Sequence, residues 1–235
     1  MTTPDQLLAY LVALDRDGLS DLPVIHDEFG PDAADLYRRL PREDRPRLVD
    51  ALEGDPEAAG YLANMSSNDD RIALIRVLDD IGASPEVMRP VLTDLWVHDH
   101  RLVRAALPGR RLYQAWRRVR DPVQAFASIY GDTVTVWRGT YGVPLSTARR
   151  GWSWTTDKRV AAWFALRYGH DRMRYAGRRP PLVLRAVVPS RRVLFEGTDR
   201  AEYELLISGV RDAAVEGDRS TWQTWADAWE RERDD

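Results

Sequence analysis

Glu202 and Glu204 stand two apart in the stretch DRAEYELLISG, just before an apolar run. On a strand, residues two apart face the same side, so the two carboxylates raise each other's cost of ionisation. Such a pair suits a division of labour, one member stabilising a developing positive charge and the other handling a proton. The plainer reading is an exposed edge strand, and the pair alone does not choose between them. Two further groups are chemically suggestive. Arg138-Gly139 closes the stretch TVTVWRG, and arginine is suited to two-pronged recognition of phosphate. Ser153-Trp154-Thr155-Thr156 would put the Ser153 and Thr155 hydroxyls on one strand face, where they can hold a polar ring or orient a catalytic group. Taken singly, a solvated arginine and ordinary strand chemistry explain these two better.

These residues need elements to hold them. The first hundred residues read as helices with start signals. Thr3 with Gln6, Ser67 with Asp70, and Ser84 before Pro85 are caps, and Gly18 and Gly82 are stops. Two more helical pieces over 111–130 break near Pro122. From Gly131 the texture changes: TVTVWRG, GWSWTT, PLVLRAVVPS, YELLISG and a weaker RDAAVEG read as strands. DKRVAAWFALRYG reads as a helix carrying Trp163 and Phe164, one expected in the core and one lining a pocket. STWQTWADAWERERDD reads as a helix opened by Ser220, with Trp222, Trp225 and Trp229 on one face. Strands with helices but no regular βαβ alternation imply an α+β protein. The expected division is a helical domain over 1–108 and a mixed domain over 109–235.

Composition narrows the function. The chain has no cysteine, which excludes disulfides and thiol catalysis and fits a reducing compartment. The N-terminus lacks a positively charged start and no apolar run is long enough to span a bilayer, so a cytoplasmic protein with no membrane partner is expected. Residues 1–100 carry 9 Lys+Arg against 21 Asp+Glu, whereas residues 101–235 carry 25 against 16. Either the basic part faces a phosphate-bearing ligand or the two parts attract each other. His98-Asp99-His100 is poorly spaced for a metal on a helix, and neither a phosphate loop of the G-x-x-x-x-G-K type nor a G-x-S-x-G elbow is present.

Taken in order, Arg138, then Ser153-x-Thr155, then Glu202-x-Glu204 resemble the arginine–serine–glutamate signature of the toxin-like mono-ADP-ribosyltransferases. The resemblance covers roughly residues 111–220. It implies a split β-sandwich with flanking helices and a glycosyltransferase that uses NAD as co-substrate, without a metal, with NAD glycohydrolase activity on the side. It further implies that Arg138, with Gly139, anchors the NAD phosphates. Ser153, Trp154 and Thr155 would build the nicotinamide side, with Ser153 orienting Glu204. Glu204 would be the catalytic carboxylate, and Phe164 or Trp163 would stack near the nicotinamide. The turn FEGTDRA and Glu202 would read the acceptor. The middle motif, Ser-Trp-Thr, departs from the family's frequent Ser-Thr-Ser.

A Glu at the position of Glu202 resembles the arginine-modifying members, so a protein arginine is the expected acceptor. The seven arginines between Arg101 and Arg120, with Trp116 among them and no acid, keep a nucleic-acid acceptor as the alternative. A non-catalytic module that binds NAD or a partner is the other alternative. The acidic first part is expected to be a docking domain, an inhibitory lid or the site of a neutralising partner.

Overall fold

The structure is a computed structural model, described over residues 17–120, 123–167, 179–197 and 203–234. It divides into two compact units between Val119 and Arg120.

The first unit is helical: α1 (Leu22–Phe29), α2 (Pro31–Arg39), α3 (Arg45–Glu53), α4 (Pro56–Met65), α5 (Asn68–Asp80), α6 (Pro85–Ala106) and α7 (Arg110–Val119). The Ser67 and Ser84 caps form as the sequence implies, each hydroxyl accepting from a backbone N–H three residues on. Asp55 caps α4 in the same way, accepting from Glu57 and Ala58. The cap at Thr3 lies outside the described residues. Arg45 donates to the carbonyls of Tyr37 and Leu40, satisfying acceptors at the end of α2, and also to those of Asp17 and Gly18 ahead of α1. The boundary falls later than 108/109 because α7 packs on α6, burying Leu112, Ala115, Trp116 and Val119. Trp96 and Trp116 meet edge to face at 5.7 Å across that contact.

The second unit is mixed. After α8 (Val123–Tyr130) come β1 (Thr133–Thr140), α9 (Leu145–Ala148), β2 (Ser153–Thr155), α10 (Lys158–Leu166), β3 (Leu182–Pro189), β4 (Val193–Gly197), β5 (Glu204–Ile207), β6 (Ala214–Val215) and α11 (Arg219–Asp234). The strands form one antiparallel sheet in the order β4-β5-β2-β1-β3-β6. Its two halves differ in how firmly they are joined. β1 pairs with β3 along its whole length, but it meets β2 at one residue pair, Trp137 opposite Thr155. The sheet is therefore two three-stranded halves hinged at that pair.

One face carries the core of Phe126, Val134, Val136, Trp154, Leu184, Leu205 and Ile207. The other is covered by α10 and α11 through Ala161, Ala162, Ala165, Leu166, Val183, Trp222 and Ala226. Trp222, Trp225 and Trp229 do line one side of α11, but its cap is Asp218 rather than Ser220. The Asp218 carboxylate accepts from the Thr221 N–H and from both hydroxyls nearby, and these bonds hold its pKa down at about 2. Among the described residues no helix is long and apolar enough to cross a membrane.

Candidate functional site

The site lies at the hinge. Residues directly opposite one another on neighbouring strands share a face. Trp137 is opposite Thr155, and Thr155 is opposite Glu204, so the three form a row across β1, β2 and β5 on the α10 side. Arg138, one residue on, leaves β1 on the opposite face with Val134 and Val136. Its Nη1 donates to the carbonyl of Ser153, and the Ser153 hydroxyl donates to Oε1 of Glu204. An arginine, a serine and a glutamate far apart in the chain thus form one continuous line of contacts.

The small residues explain how the line fits. A Cβ on Gly151 would overlap the Arg138 guanidinium, so the missing side chain makes room for that group. A Cβ on Gly139 would overlap the carbonyl oxygen of Ala161, so Gly139 lets α10 lie directly on β1. Gly139 is therefore a close packing contact between β1 and α10.

Several other expected site residues are buried or half-buried in packing contacts. Trp154 is 2% exposed, points into the core on the far face, and donates its indole N–H to Gly151 O at 3.0 Å. Period-two alternation puts it there once Ser153 and Thr155 face α10. Thr155 is also buried; its hydroxyl accepts from Asp157 N at 3.1 Å and so shapes the turn into α10. Trp163 faces α11, donating to Glu230 at 3.2 Å with Arg233 5.5 Å above its ring. Phe164 touches it edge-on at 5.2 Å and is half-buried. Neither of the two is fully in the core. Glu202 lies outside the described residues, as does much of the turn that carries it. Phe195, Glu196 and Gly197 of that expected turn belong instead to β4, where Gly197 is opposite Glu204.

Other residues complete the site. A cavity of about 450 Å³ is lined by Trp137, Thr156, Asp157, Lys158, Arg159 and Tyr203, the last of them next to Glu204 in the chain. Trp137 is held by its indole N–H, which donates to Glu216 at 3.1 Å. Tyr203 is 47% exposed and sits at φ 47°, a left-handed backbone that a bulky residue rarely adopts. The signals for these two were positional: Trp137 directly precedes the arginine, and Tyr203 separates the two glutamates. Behind β4, the Tyr130 hydroxyl donates to Glu196. Burial, and then the Glu196 bond and charge, raise the Tyr130 pKa above the ordinary phenol value.

In the first unit, the arginine-rich segment is largely engaged within the unit itself. Arg111 and Arg118 both bind Asp79, Arg111 also reaches Asp80, Arg101 pairs with Asp99, and Arg104 lies over the Trp96 ring. His98 Nδ1 contacts Asp94 O at 2.8 Å, and among the described residues no cluster of His, Asp and Glu could hold a metal. Comparison with protein-family models, curated proteins and solved structures gave no match to this chain.

Proposed function

We propose that residues 120–235 transfer ADP-ribose from NAD to an acceptor and release nicotinamide. The observation that carries this reading is the line of contacts from Arg138 through Ser153 to Glu204, set at the single-pair hinge of the sheet. The resemblance to mono-ADP-ribosyltransferases implies a split β-sandwich with flanking helices, and the mixed unit here has one six-stranded antiparallel sheet with helices packed on it. The residues suit the substrate. A cavity lined by Trp137, Tyr203 and Lys158, the second of them next to Glu204 in the chain, offers aromatic and cationic contacts to a ribosyl-pyridinium bearing phosphates.

The chemistry asked of the chain is modest. As nicotinamide leaves, positive charge grows on the ribose, and a fixed carboxylate stabilises it better than mobile water does. Glu204 supplies that charge. Ser153 fixes which way it points, and Arg138 fixes Ser153 by holding its carbonyl. Arg138 thus has a positioning role besides the phosphate contact expected of it. The acceptor expected from Glu202 is an arginine side chain.

The test is nicotinamide release from NAD. Glu204→Gln keeps the shape and removes the charge, so hydrolysis and transfer both fall by about a hundredfold to a thousandfold. Glu202→Gln spares hydrolysis more than transfer. NAD binding without nicotinamide release from the unaltered protein would make this a binding module and refute the proposal.

A further inference from the structure

We infer that the outer face of α7 docks an acidic helix of a partner protein, through Arg110 and Arg117 with Arg111 and Arg118 beside them. This surface belongs to the first unit, and its binding does not depend on the transferase reading.

α7 needs only one side to pack. Leu112, Ala115, Trp116 and Val119 recur at helical spacing and are buried. The other side exposes Arg110, Arg111, Tyr113, Gln114, Arg117 and Arg118, and the helix carries no acid. A cation in the first turn of a helix meets the positive end of its dipole, so Arg110 and Arg111 stand where a helix disfavours them. Arg111 is offset: its Nε and Nη2 donate to Asp79 and Asp80 at 2.5 to 2.9 Å. Arg118 is offset too, donating to the other oxygen of Asp79. Arg110 and Arg117 are not. Neither has an ion pair among the described residues, and Arg117 lies 5.8 Å over the Tyr113 ring.

Asp79 does more than neutralise. Its side chain is 12% exposed and grips two guanidiniums from behind. Arg111 keeps Nη1, and Arg118 keeps Nε and Nη1, without a hydrogen bond among the described residues. With Gln114 and Arg117 they line a cavity of about 580 Å³. The patch is concave, held in place and rich in open N–H donors, which suit carboxylates.

Spacing selects the occupant. Arg110 and Arg117 stand two helical turns apart, about 10 Å along the axis. One small anion does not reach both. A second helix with acids two turns apart on one face repeats that distance, and its apolar side chains have the Tyr113 ring, 38% exposed, to lie on. A nucleic-acid backbone fits less well. It carries a charge at every step and would meet Asp80, 52% exposed, within the same patch. A helix leaves the steps between its acids neutral.

The experiment titrates the full chain into two fluorescently labelled, alanine- and glutamine-based helical peptides of equal composition. In one the glutamates recur on a single face, and in the other they are spread around the helix. The single-face peptide should bind at least about fivefold more tightly, and the difference should shrink with added salt. Arg110→Glu with Arg117→Glu should weaken its binding at least about tenfold, and Arg110→Gln with Arg117→Gln should weaken it less. Both pairs of changes lie on the exposed side of α7, so thermal unfolding should be unaltered. The glutamine pair keeps the test valid if charge reversal lowers Tm. Equal binding of the two peptides, no binding at low salt, or binding that ignores both variants would overturn the inference. So would tighter binding of a single-stranded oligonucleotide through the same two arginines, which would make the face a nucleic-acid surface. A dimer that the charge reversal dissolves would make a second copy the occupant and overturn it as well.

Discussion

Ser153 makes one hydrogen bond that matters, to Glu204, and Arg138 makes the bond that holds Ser153 in place. Ser153→Ala removes the orientation but not the charge. It should lower kcat for NAD hydrolysis with little change in KM, and a larger effect on KM would show that Ser153 binds substrate instead. Gly139 is different in kind. Gly139→Ala presses a methyl group on the Ala161 carbonyl, so it should cost about 1–3 kcal/mol, read from the urea midpoint. Tyr130 gives a pH prediction. Its pKa is raised in the folded state, so its bond to Glu196 contributes stability fully below the unfolded phenol value of about 10. That contribution is lost as pH rises through the folded value. Tyr130→Phe should therefore flatten the alkaline decline in stability, and an unchanged decline would rule the pair out as its cause.

At the scale of elements, the site depends on a helix that contributes little chemistry. α10 lies on β1 at Gly139 and is gripped by α11: Arg159 bonds Glu232, and Arg167 bonds Asp227 at 2.7 Å and Glu230 at 3.2 Å. Trp222 and Trp229 are each 6% exposed beneath that grip. Trp222→Ala should cost about 3–5 kcal/mol by leaving a cavity under α10, measured as a fall in Tm. β1, β3, β5 and the capped helices were legible because alternation and caps are local. β4 was not. Its register shifts between Val193 and Phe195, a bulge that breaks the two-residue period by which a strand is recognised. The Asp218 cap was passed over for Ser220 because both residue types suit the position. The carboxylate took the N–H of Thr221, and the Ser220 hydroxyl bonded the same carboxylate.

At the scale of the whole chain, the second unit has its own core on both faces of its sheet. A fragment of residues 120–235 should fold cooperatively and hydrolyse NAD, as checked by thermal unfolding and nicotinamide release. A higher rate than the full chain would make the first unit an inhibitory lid, and an equal rate would leave it a docking role. Cutting at 105 instead would strand α7, whose buried Trp116 packs on α6. The charge asymmetry was plain from composition, yet its meaning was not. Arg111 and Arg118 are matched within the first unit by Asp79, an acid far away in the chain.

Residue types and their short-range spacing were enough to mark Arg138, Ser153 and Glu204, to divide helical from mixed chain, and to place most caps. They were enough because helix periods, strand alternation and caps act over a few residues. Which of the marked residues meet was decided by strand pairing between distant segments: β2 beside β5, and β1 touching β2 at one pair. That pairing sent Trp154 and Thr155 into the interior, assigned Gly139 to packing, and brought Trp137 and Tyr203 to one cavity. A strand's alternation says that its two faces differ, but only its neighbours determine which face is buried.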